Sequence, residues 1–556
     1  MERRRLVSIL GLIILLVGLL AACSEQDEGK SGPPEGNDDE QKKVFDPASD
    51  PDAAQLTEYD DDRMQAQKDA DKRLAEDLAS GDYSLEDPYV KLDPYDAAPL
   101  SALLQFETDK PMQIEVITGT GDGEVPITKT WSAYKTEHEI PVLGLYPDET
   151  NQVLIKAYDK DGNKKSTEVS IKTDPLPDDM PQTDLKTSNP EQMADGLTFI
   201  TTAKNYLYAV DEDANVRWYS SLDTRLILSR LSNGHFLINV RGNDEDQYKD
   251  MLEIDPLGKR YNAYRISIDN YDDDNLIHHD VIDLPSGNLL ATVHDPDSKY
   301  VEDTMIEIDR NTGKTVQQID LKDIFPEKVY EDYDGEYADD NDWFHQNAVW
   351  FDEADNSILV SSRHQDAVMN LSYPDADVQW ILGADEGWSD NLEDKLLEPV
   401  DDDVKFPTAQ HAVKKLPDMD DDPDTEDIIL FDNNHVVTRG DETISDDYSR
   451  MVQYRINEKE QTVDEIWSYG EGRGEDFYSS IVGNVQYMPD TGNRLITSGY
   501  IAPNPDGDAR ESRIVETNDK DDADVLYEIK LSGFNEDSHK FAYRAHRWPL
   551  YTAPGT

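Results

Sequence analysis

Most of this chain repeats one pattern of short apolar runs. From about residue 195 onwards, a strand-like run leads into a turn, often Asn-Gly or Gly-Asn, and then into further runs of similar length. One copy opens at residues 281–284, turns at Gly287 and Asn288, and continues at residues 289–293 and 305–309. Six such copies predict a six-bladed β-propeller over residues 195–556. The run at residues 541–544 is expected to return to the first blade and close it.

A smaller β-rich segment precedes the repeats. Residues 95–175 contain about six short strand-like runs, among them 103–106, 112–118, 127–131 and 138–142. This density of strands predicts a small β-sandwich of immunoglobulin or fibronectin type. Prolines are frequent in the next stretch, and residues 176–194 are predicted to be a linker. The predicted fold class is therefore all-β, with a six-bladed propeller preceded by a small β-sandwich domain.

The N-terminus has the features of a lipoprotein signal. Three arginines precede the apolar run at residues 6–20, and residues 20–23 (Leu-Ala-Ala-Cys) match a lipobox. A spanning helix fits less well because the apolar run is short. Cys23 is the only cysteine, so residues 1–23 are predicted to be a lipoprotein signal peptide with Cys23 as the lipidated residue. The polar, acidic residues 24–94 are predicted to be a disordered tether. The expected location is extracytoplasmic, anchored to the membrane by lipid.

The charge restricts the partners of this protein. Its 120 acidic and 52 basic residues give a formal net charge of −68. A nucleic-acid partner is excluded, because no basic stripe is present to neutralise phosphates. Acidic residues are spread along the whole chain, which is typical of a protein that stays soluble at high ionic strength.

Histidine is rare here, with 11 residues, and five of them lie in three stretches at the opening strands of different repeats. These five are His278, His279, His345, His364 and His411. Because the innermost strand of each blade faces the propeller axis, side chains at these strand entries should converge. Counting back from the ends of the opening strands pairs His278 with His345 and His279 with His411. Neighbouring side chains on a strand point apart, so one of His278 and His279 is expected to face the site, and the sequence does not say which.

Three convergent histidines have two chemical interpretations. They could bind a divalent metal, or one imidazole could act as a nucleophile while the others stabilise the transferred group. Arg363 favours the second, because a guanidinium repels a metal cation but binds a tetrahedral oxyanion with two hydrogen bonds. Asn347 adds an amide donor, and Asp280 is the one carboxylate expected in the cluster. His364, next to Arg363 on a strand, is expected to face the other way.

These residues resemble the bacterial arylsulfate sulfotransferase family. The resemblance rests on the segments 343–347 (Trp-Phe-His-Gln-Asn), 361–365 (Ser-Ser-Arg-His-Gln), 278–280 (His-His-Asp) and 410–411 (Gln-His), and also on 380–383 (Trp-Ile-Leu-Gly). It covers most of residues 95–556. It implies a small N-terminal β-domain before a six-bladed propeller, which agrees with the repeat pattern.

The resemblance also implies a function. The chain would move a sulfuryl group from a phenolic sulfate ester to a phenol, without PAPS and without a cofactor, by a ping-pong route through a sulfohistidine. The family's nucleophile falls on His411, and its stabilising residues fall on His278 or His279 and on His345, Asn347 and Arg363. Periplasmic members of the family carry a disulfide, which this chain cannot form because only Cys23 is present.

A second class of function stays open at this point. The chain could be a non-catalytic cell-surface propeller lipoprotein whose axial histidines bind a metal or an anion. The N-terminal β-domain could mediate a homodimer. The retained motif residues favour the enzyme, with a phenolic sulfate donor and a phenol acceptor as its small-molecule partners.

Overall fold

A computed structural model describes residues 57–551, apart from residues 243–247, 267–276, 296–297, 336, 503–508, 521 and 536–537. The predicted signal peptide with Cys23 and the first part of the predicted tether lie outside the described residues. Strands predominate over helices in what is described, so the predicted all-β class is confirmed. None of the described helices is long and apolar enough to cross a bilayer.

A strand and a helix come before the small domain. The strand β1 (Thr57–Tyr59) pairs antiparallel with Arg260–Ile266 of the propeller. The helix α1 (Asp61–Leu78) follows, and the side chain of Asp60 caps it by accepting a hydrogen bond from the backbone N–H of Arg63 at 3.0 Å. The predicted disordered tether is therefore wrong over residues 57–94.

Polar groups dock α1 on the propeller, which explains why the sequence indicated only a short polar helix, over residues 65–78, within the predicted tether. Its buried residues are Arg63, Gln67, Ala70 and Leu74. The Nη2 atom of Arg63 lies 2.6 Å from Oδ2 of Asp250, and Oε1 of Gln67 accepts the backbone N–H of Arg260 at 2.9 Å. Hydrophobic periodicity is the main signal from which a helix is predicted. Only two of the four buried residues of α1 are apolar, so its sequence has almost no such periodicity.

The small domain is one sheet of five strands. They are β2 (Tyr89–Leu92), β3 (Ala102–Thr118), β4 (Ile127–Val142), β5 (Thr150–Tyr158) and β6 (Lys164–Lys172). The first half of β3 pairs with β2 and its second half with β5, while β4 pairs with both halves. The sequence divides β3 into two runs, because the mostly exposed residues 107–111 interrupt its apolar alternation.

Part of the predicted linker is a strand. Residues Gln182–Ser188 form β7, which pairs with the edge of the last propeller sheet. The linker prediction is therefore wrong for these residues. An edge strand that is mostly exposed needs no apolar alternation, so its polar sequence resembles a loop.

The propeller contains the remaining strands, and their bounds follow. They are β8 (Leu197–Thr202), β9 (Asn205–Val210), β10 (Val216–Arg230), β11 (Phe236–Val240), β12 (Asp250–Ile254), β13 (Arg260–Ile266), β14 (Ile277–Asp283), β15 (Leu289–Val293), β16 (Thr304–Ile308), β17 (Thr315–Asp320), β18 (Gln346–Asp352), β19 (Ser357–Ser362), β20 (Ala367–Ser372), β21 (Val378–Leu382), β22 (Glu398–Pro399), β23 (His411–Lys415), β24 (Thr425–Asp432), β25 (Arg450–Asn457), β26 (Thr462–Tyr469), β27 (Asn484–Met488), β28 (Asn493–Ile501), β29 (Ala509–Thr517), β30 (Val525–Asn535) and β31 (Ala542–Trp548). Short helices lie in the connections: α2 (Glu327–Glu331), α3 (Asp390–Glu393) and the 3₁₀ turns Leu321–Asp323, Ala338–Asp340 and Glu471–Phe477.

Antiparallel pairing arranges these strands in sequential sheets. β14 to β17 form one four-stranded sheet and β18 to β21 another, while β23 to β26 and β27 to β30 gain β22 and β7 at their edges. β31 pairs with β8, so the C-terminal return to the first sheet is confirmed. Hydrogen bonds join β8 to β13 into one sheet because β10 pairs with both β9 and β11. The count of six blades stays a prediction from the six repeats.

Six strands line the inside of the propeller. β31, β10, β14, β18, β23 and β27 each pack against the next of the six. His278, His279, His345 and His411 lie on β14, β18 and β23 or directly before them, so the predicted convergence at the axis follows from the topology. His364 follows β19 instead.

Candidate active site

A backbone bend recurs where these inner strands begin. Leu226, His279, His345, Ala412 and Val482 have φ between 52° and 58°, a left-handed conformation that is uncommon for residues other than glycine. The pairing register of β10, β14, β18 and β23 shifts near the same place. Such β-bulges are frequent beside active sites, because they redirect side chains.

The bulges correct the predicted equivalence of the histidines. His279 and His345 both occupy the left-handed position, whereas His411 directly precedes it at Ala412. In the sequence, the count of residues back from the strand ends made His278 equivalent to His345. That pairing is wrong because the bulges on β14 and β18 hold different numbers of extra residues.

His278 and His279 do not point apart. Their Nδ1 atoms lie 3.2 Å from each other, and both side chains are buried. The left-handed φ of His279 breaks the alternation of the strand, so the expectation that one of the two would face away is wrong. The ring of His279 lies 4.8 Å from that of His345, while the ring of His278 lies 5.1 Å from that of His294. Of the two, His279 is therefore the one whose ring contacts His345, while His278 and His279 both lie near Glu302.

Two carboxylates that the sequence did not indicate hold His345. Its Nδ1 lies 2.6 Å from Oδ2 of Asp342 and 2.7 Å from Oε2 of Glu302. Burial alone would lower the pKa of His345, but these two carboxylates outweigh it and raise the pKa to about 10. The expectation of a cluster with Asp280 as its one carboxylate is wrong, and His345 is an imidazolium at neutral pH.

The side chains of Arg363 and His364 contact each other and do not face opposite sides of a strand. Both belong to the turn between β19 and β20, so the strand alternation that would have separated them does not apply. Nη1 of Arg363 donates to Nε2 of His364 at 2.7 Å, and the ring of His364 stacks on Tyr337 at 4.2 Å. Nδ1 of His364 bonds the backbone carbonyl of Asp342 at 2.6 Å. Both ring nitrogens are thus engaged, and His364 supports Arg363.

The hydrogen bonds around His411 fix which of its two ring nitrogens carries the hydrogen. Its Nδ1 lies 2.7 Å from Oδ1 of Asn433. The amide nitrogen of Asn433 donates to the carbonyls of Ser479 at 2.7 Å and Val482 at 3.0 Å, which orients Oδ1 as the acceptor. Nδ1 of His411 must then carry the hydrogen, and Nε2 keeps its lone pair. Burial and then the Arg363 guanidinium lower the pKa of His411 to about 3, so the ring is neutral.

Asn347 has a different place from the one expected. Its side-chain nitrogen donates to the backbone carbonyl of Gln410 at 2.7 Å, so the amide ties β18 to the residue before His411. Asp280 pairs with Arg544 at 2.7 Å, and Arg544 also donates to the Asn347 carbonyl at 3.4 Å. Asn347 and Asp280 therefore position the strands that carry the histidines.

Two groups in the cluster have the composition of a metal site. They are His278, His279 and Glu302, and Asp342, His345 and His364. The second group is poorly suited to a cation, because both nitrogens of His364 are occupied and Arg363 donates to one of them. The first group stays chemically able to hold a divalent ion.

The residues that sequence reasoning missed lie outside the repeated motif. Glu302 lies before β16, Asp342 before β18, and Asn433 directly after β24. For these three residues the sequence offered one signal, which is that Asp342 lies three residues before His345. Glu302 and Asn433 reach the histidines only through the pairing of strands from different parts of the chain.

The fold and this site define a β-propeller protein that presents a neutral imidazole nitrogen beside a guanidinium and an imidazolium. Residues 182–544 match the arylsulfotransferase (ASST) family, and residues 89–174 match the arylsulfotransferase Ig-like domain. The chain belongs to the arylsulfotransferase family, and the resemblance seen in the sequence is confirmed.

Two relatives carry the same family name. The chain is 25% identical over 528 residues to the arylsulfate sulfotransferase AssT of Lelliottia amnigena, and 24% identical over 522 residues to that of Escherichia coli O6:H1. Each alignment covers 74% of this chain and 85% of the relative. Among solved structures, the periplasmic gluconolactonase of Pseudomonas aeruginosa superposes with a TM-score of 0.32 and 8% identity, over 79% of this chain and 100% of that one.

Proposed function

We propose that this protein transfers a sulfuryl group from a phenolic sulfate ester to a phenol through a sulfohistidine on His411. The observation that carries the proposal is the bond from Nδ1 of His411 to Oδ1 of Asn433 at 2.7 Å, which leaves the lone pair on Nε2. A neutral imidazole nitrogen near a guanidinium is suited to attack an anionic sulfur centre. Family membership and the AssT relatives support the substrate class.

In the first half of the reaction, the lone pair on Nε2 of His411 forms a bond to sulfur. The bond from sulfur to the phenolic oxygen breaks, and that oxygen keeps the electron pair. His345 gives it a proton from Nε2, so a neutral phenol leaves. This role suits His345 because Asp342 and Glu302 occupy its Nδ1 and keep the ring protonated.

In the second half, His345 is neutral and accepts the proton of the incoming phenol. The phenol oxygen attacks sulfur, the nitrogen–sulfur bond breaks, and its electron pair returns to Nε2 of His411. The pKa of His411 is about 3 and that of His345 is about 10. Between these pH values His411 is neutral, as a nucleophile must be, and His345 is protonated, as an acid must be. Such a separation is the usual sign of assigned acid and base roles.

Arg363 would stabilise the oxygens of the transferred group. Its side chain is buried, Nη1 and Nη2 bond neutral partners on His364 and Tyr337, and Nε has no hydrogen-bond partner among the described residues. These partners do not neutralise the positive charge of Arg363, which can therefore bind an anion. His279, next to His345, is the second group placed to contact that anion.

A chromogenic aryl sulfate tests the activity. Purified protein should release the chromophore faster when a phenol acceptor is added, and acid-quenched protein treated with donor alone should yield a sulfated peptide that contains His411. If release does not depend on phenol at any salt concentration, the transferase proposal is wrong. If the sulfated peptide contains another histidine, only the nucleophile is wrong.

Metal binding is the second candidate, supported by the grouping of His278, His279 and Glu302. Elemental analysis after dialysis separates the two. A stoichiometric divalent ion, with no phenol-dependent transfer, would favour the non-catalytic binding protein.

We also propose that Cys23 anchors the protein to the outer face of a membrane. The support is the lipobox at residues 20–23 and the apolar run before it. The protein should partition into detergent when expressed in a bacterial host, and Cys23→Ser should move it to the aqueous phase. Equal partition of both forms would contradict the anchor.

A further inference from the structure

A cavity of about 750 Å³ opens at the other end of the inner strands from the histidines. Its lining on β14 begins at Asp280, directly after His279, and its lining on β23 begins at Ala412, directly after His411. The histidines of the proposed reaction, and Arg363, do not line it. The cavity is thus a separate compartment on the propeller axis.

Two basic side chains on its wall, Arg230 and Lys414, have no carboxylate partner among the described residues, and burial lowers the pKa of Lys414 to about 7. The Nη1 and Nη2 atoms of Arg230 are buried and have no hydrogen-bond partner in the described part of the chain. Nζ of Lys414 donates to neutral oxygens, the carbonyl of Val485 at 2.6 Å and Oδ1 of Asn484 at 3.4 Å. The guanidinium carbon of Arg230 lies 4.4 Å from the ring of Phe236. Buried N–H groups without acceptors are unfavourable, and an anion in the cavity would give Nη1 and Nη2 the acceptors that they lack.

Of the four carboxylates that line the same wall, three are bonded, and the fourth, Glu353, is exposed. Asp280 pairs with Arg544 at 2.7 Å, and Asp352 pairs with Lys415. Asp283 accepts the backbone N–H of Ser232 at 2.9 Å. The wall carries four basic and four acidic side chains, so its formal charge is zero in a protein with a net charge of −68, and it is far less negative than the chain as a whole.

Aromatic rings complete the wall. Trp350, Phe351, Tyr487 and Trp548 line the cavity, and all four are only half-buried. The guanidinium carbon of Arg230 lies 6.0 Å from the ring of Trp548, which joins the charged and the aromatic parts of the wall. Mostly apolar cavities of this size with a few placed polar groups are typical sites for small ligands.

We propose that this cavity binds a small aromatic anion, a one- or two-ring compound that carries a carboxylate or a sulfonate. Arg230 and Lys414 hold the anionic group, and the aromatic side chains pack against the ring. A guanidinium fork matches such planar or tetrahedral oxyanions better than an ammonium does. The site is independent of the sulfuryl transfer proposed for His411.

Naphthalene-2-sulfonate tests this site, because it is an aromatic anion with no sulfate ester to transfer. Isothermal titration of the full chain should show one binding event, and Arg230→Gln should weaken it by about tenfold to a hundredfold. Arg225→Gln, on the same strand but outside the cavity, should leave the affinity unchanged. Naphthalene-2-sulfonamide, which is neutral and of similar shape, should bind at least about tenfold more weakly than the sulfonate.

Arg363→Gln distinguishes the two compartments. If it weakens binding while Arg230→Gln does not, the anion sits at the histidines and the second site is wrong. The absence of binding at millimolar sulfonate would also overturn it. If Arg230→Gln unfolds, Arg230→Lys and Lys414→Gln replace it, and unchanged affinity in both folded variants would equally reject the proposal.

Discussion

Asn433 decides which nitrogen of His411 keeps its lone pair, because its Oδ1 lies 2.7 Å from Nδ1 of that ring. The two carbonyls that accept from the Asn433 amide prevent it from flipping. The tautomer of His411 is therefore built into the fold and does not depend on the substrate. In the other tautomer Nε2 would carry the hydrogen, and the attack proposed for its lone pair would be blocked.

Loss of this bond should slow the reaction without removing the nucleophile. Asn433→Ala is expected to lower kcat/KM by about tenfold to a hundredfold, the equivalent of one hydrogen bond to a polar group. Steady-state kinetics with a chromogenic donor measure it. Asn434→Ala, which removes the neighbouring amide that bonds the Ile444 carbonyl, is the matched control. Equal losses in both variants would contradict a specific role for Asn433.

Removal of the proposed nucleophile should abolish transfer. His411→Ala is expected to lower phenol-dependent release by at least about 10³-fold, since no other imidazole in the cluster has a free, fixed lone pair directed by an amide. His235→Ala removes a partly exposed histidine that bonds Glu253, and it should keep activity. Residual turnover of His411→Ala near the wild-type rate would reject the assignment.

The pH dependence of the first half-reaction should report His345. Because the pKa of His345 is raised to about 10, the acid form and the associated stability are fully present below about pH 6.5 and are lost as pH rises through about 10. Glu302→Gln removes one of the two carboxylates, so the alkaline limb of kcat/KM for the donor should move to lower pH. Glu331→Gln, an exposed carboxylate beside Lys299, should leave the limb in place. An unchanged limb in Glu302→Gln would mean that another group controls it.

Arg363 should not tolerate replacement by lysine. Arg363→Lys keeps the charge but loses the fork that bonds His364 and Tyr337 at once, and we expect kcat/KM to fall by about a hundredfold. Arg473→Lys, whose guanidinium pairs with Glu528 on the last sheet, is the control. Comparable activity of Arg363→Lys and wild type would show that charge alone suffices.

The helix α1 should depend on its buried ion pair. Arg63→Leu leaves Asp250 with Arg265 as its remaining partner, and local unfolding of α1 should become easier by about 1–3 kcal/mol. Limited proteolysis within residues 61–78 should be correspondingly faster. Lys72→Leu, at an exposed position that pairs with Glu76, should not change the rate. Equal rates for the two variants would mean that this ion pair does not hold the helix.

Local sequence determined the strands and where the histidines lie along them. Apolar runs such as 289–293 recur at each turn signal, and the period of two that defines a strand is a property of neighbouring residues. The motifs around His345, Arg363 and His411 were enough to indicate the family. Even the return of β31 to β8 could be predicted, because a propeller must close.

The tertiary structure decided the ionisation and the hydrogen bonds of each histidine. The bond from Arg544 to Asp280 spans 264 residues, and those from Asn433 to His411 and from Glu302 to His345 join different strands or loops. Such partners leave no local pattern, because a hydrogen bond needs only that the fold bring two polar atoms together. The bulge at His279, and the polar docking of α1 through Arg63, are hidden for the same reason. Hydrophobic periodicity sets the strands, whereas ionisation and tautomers depend on contacts that exist only once the sheets have assembled.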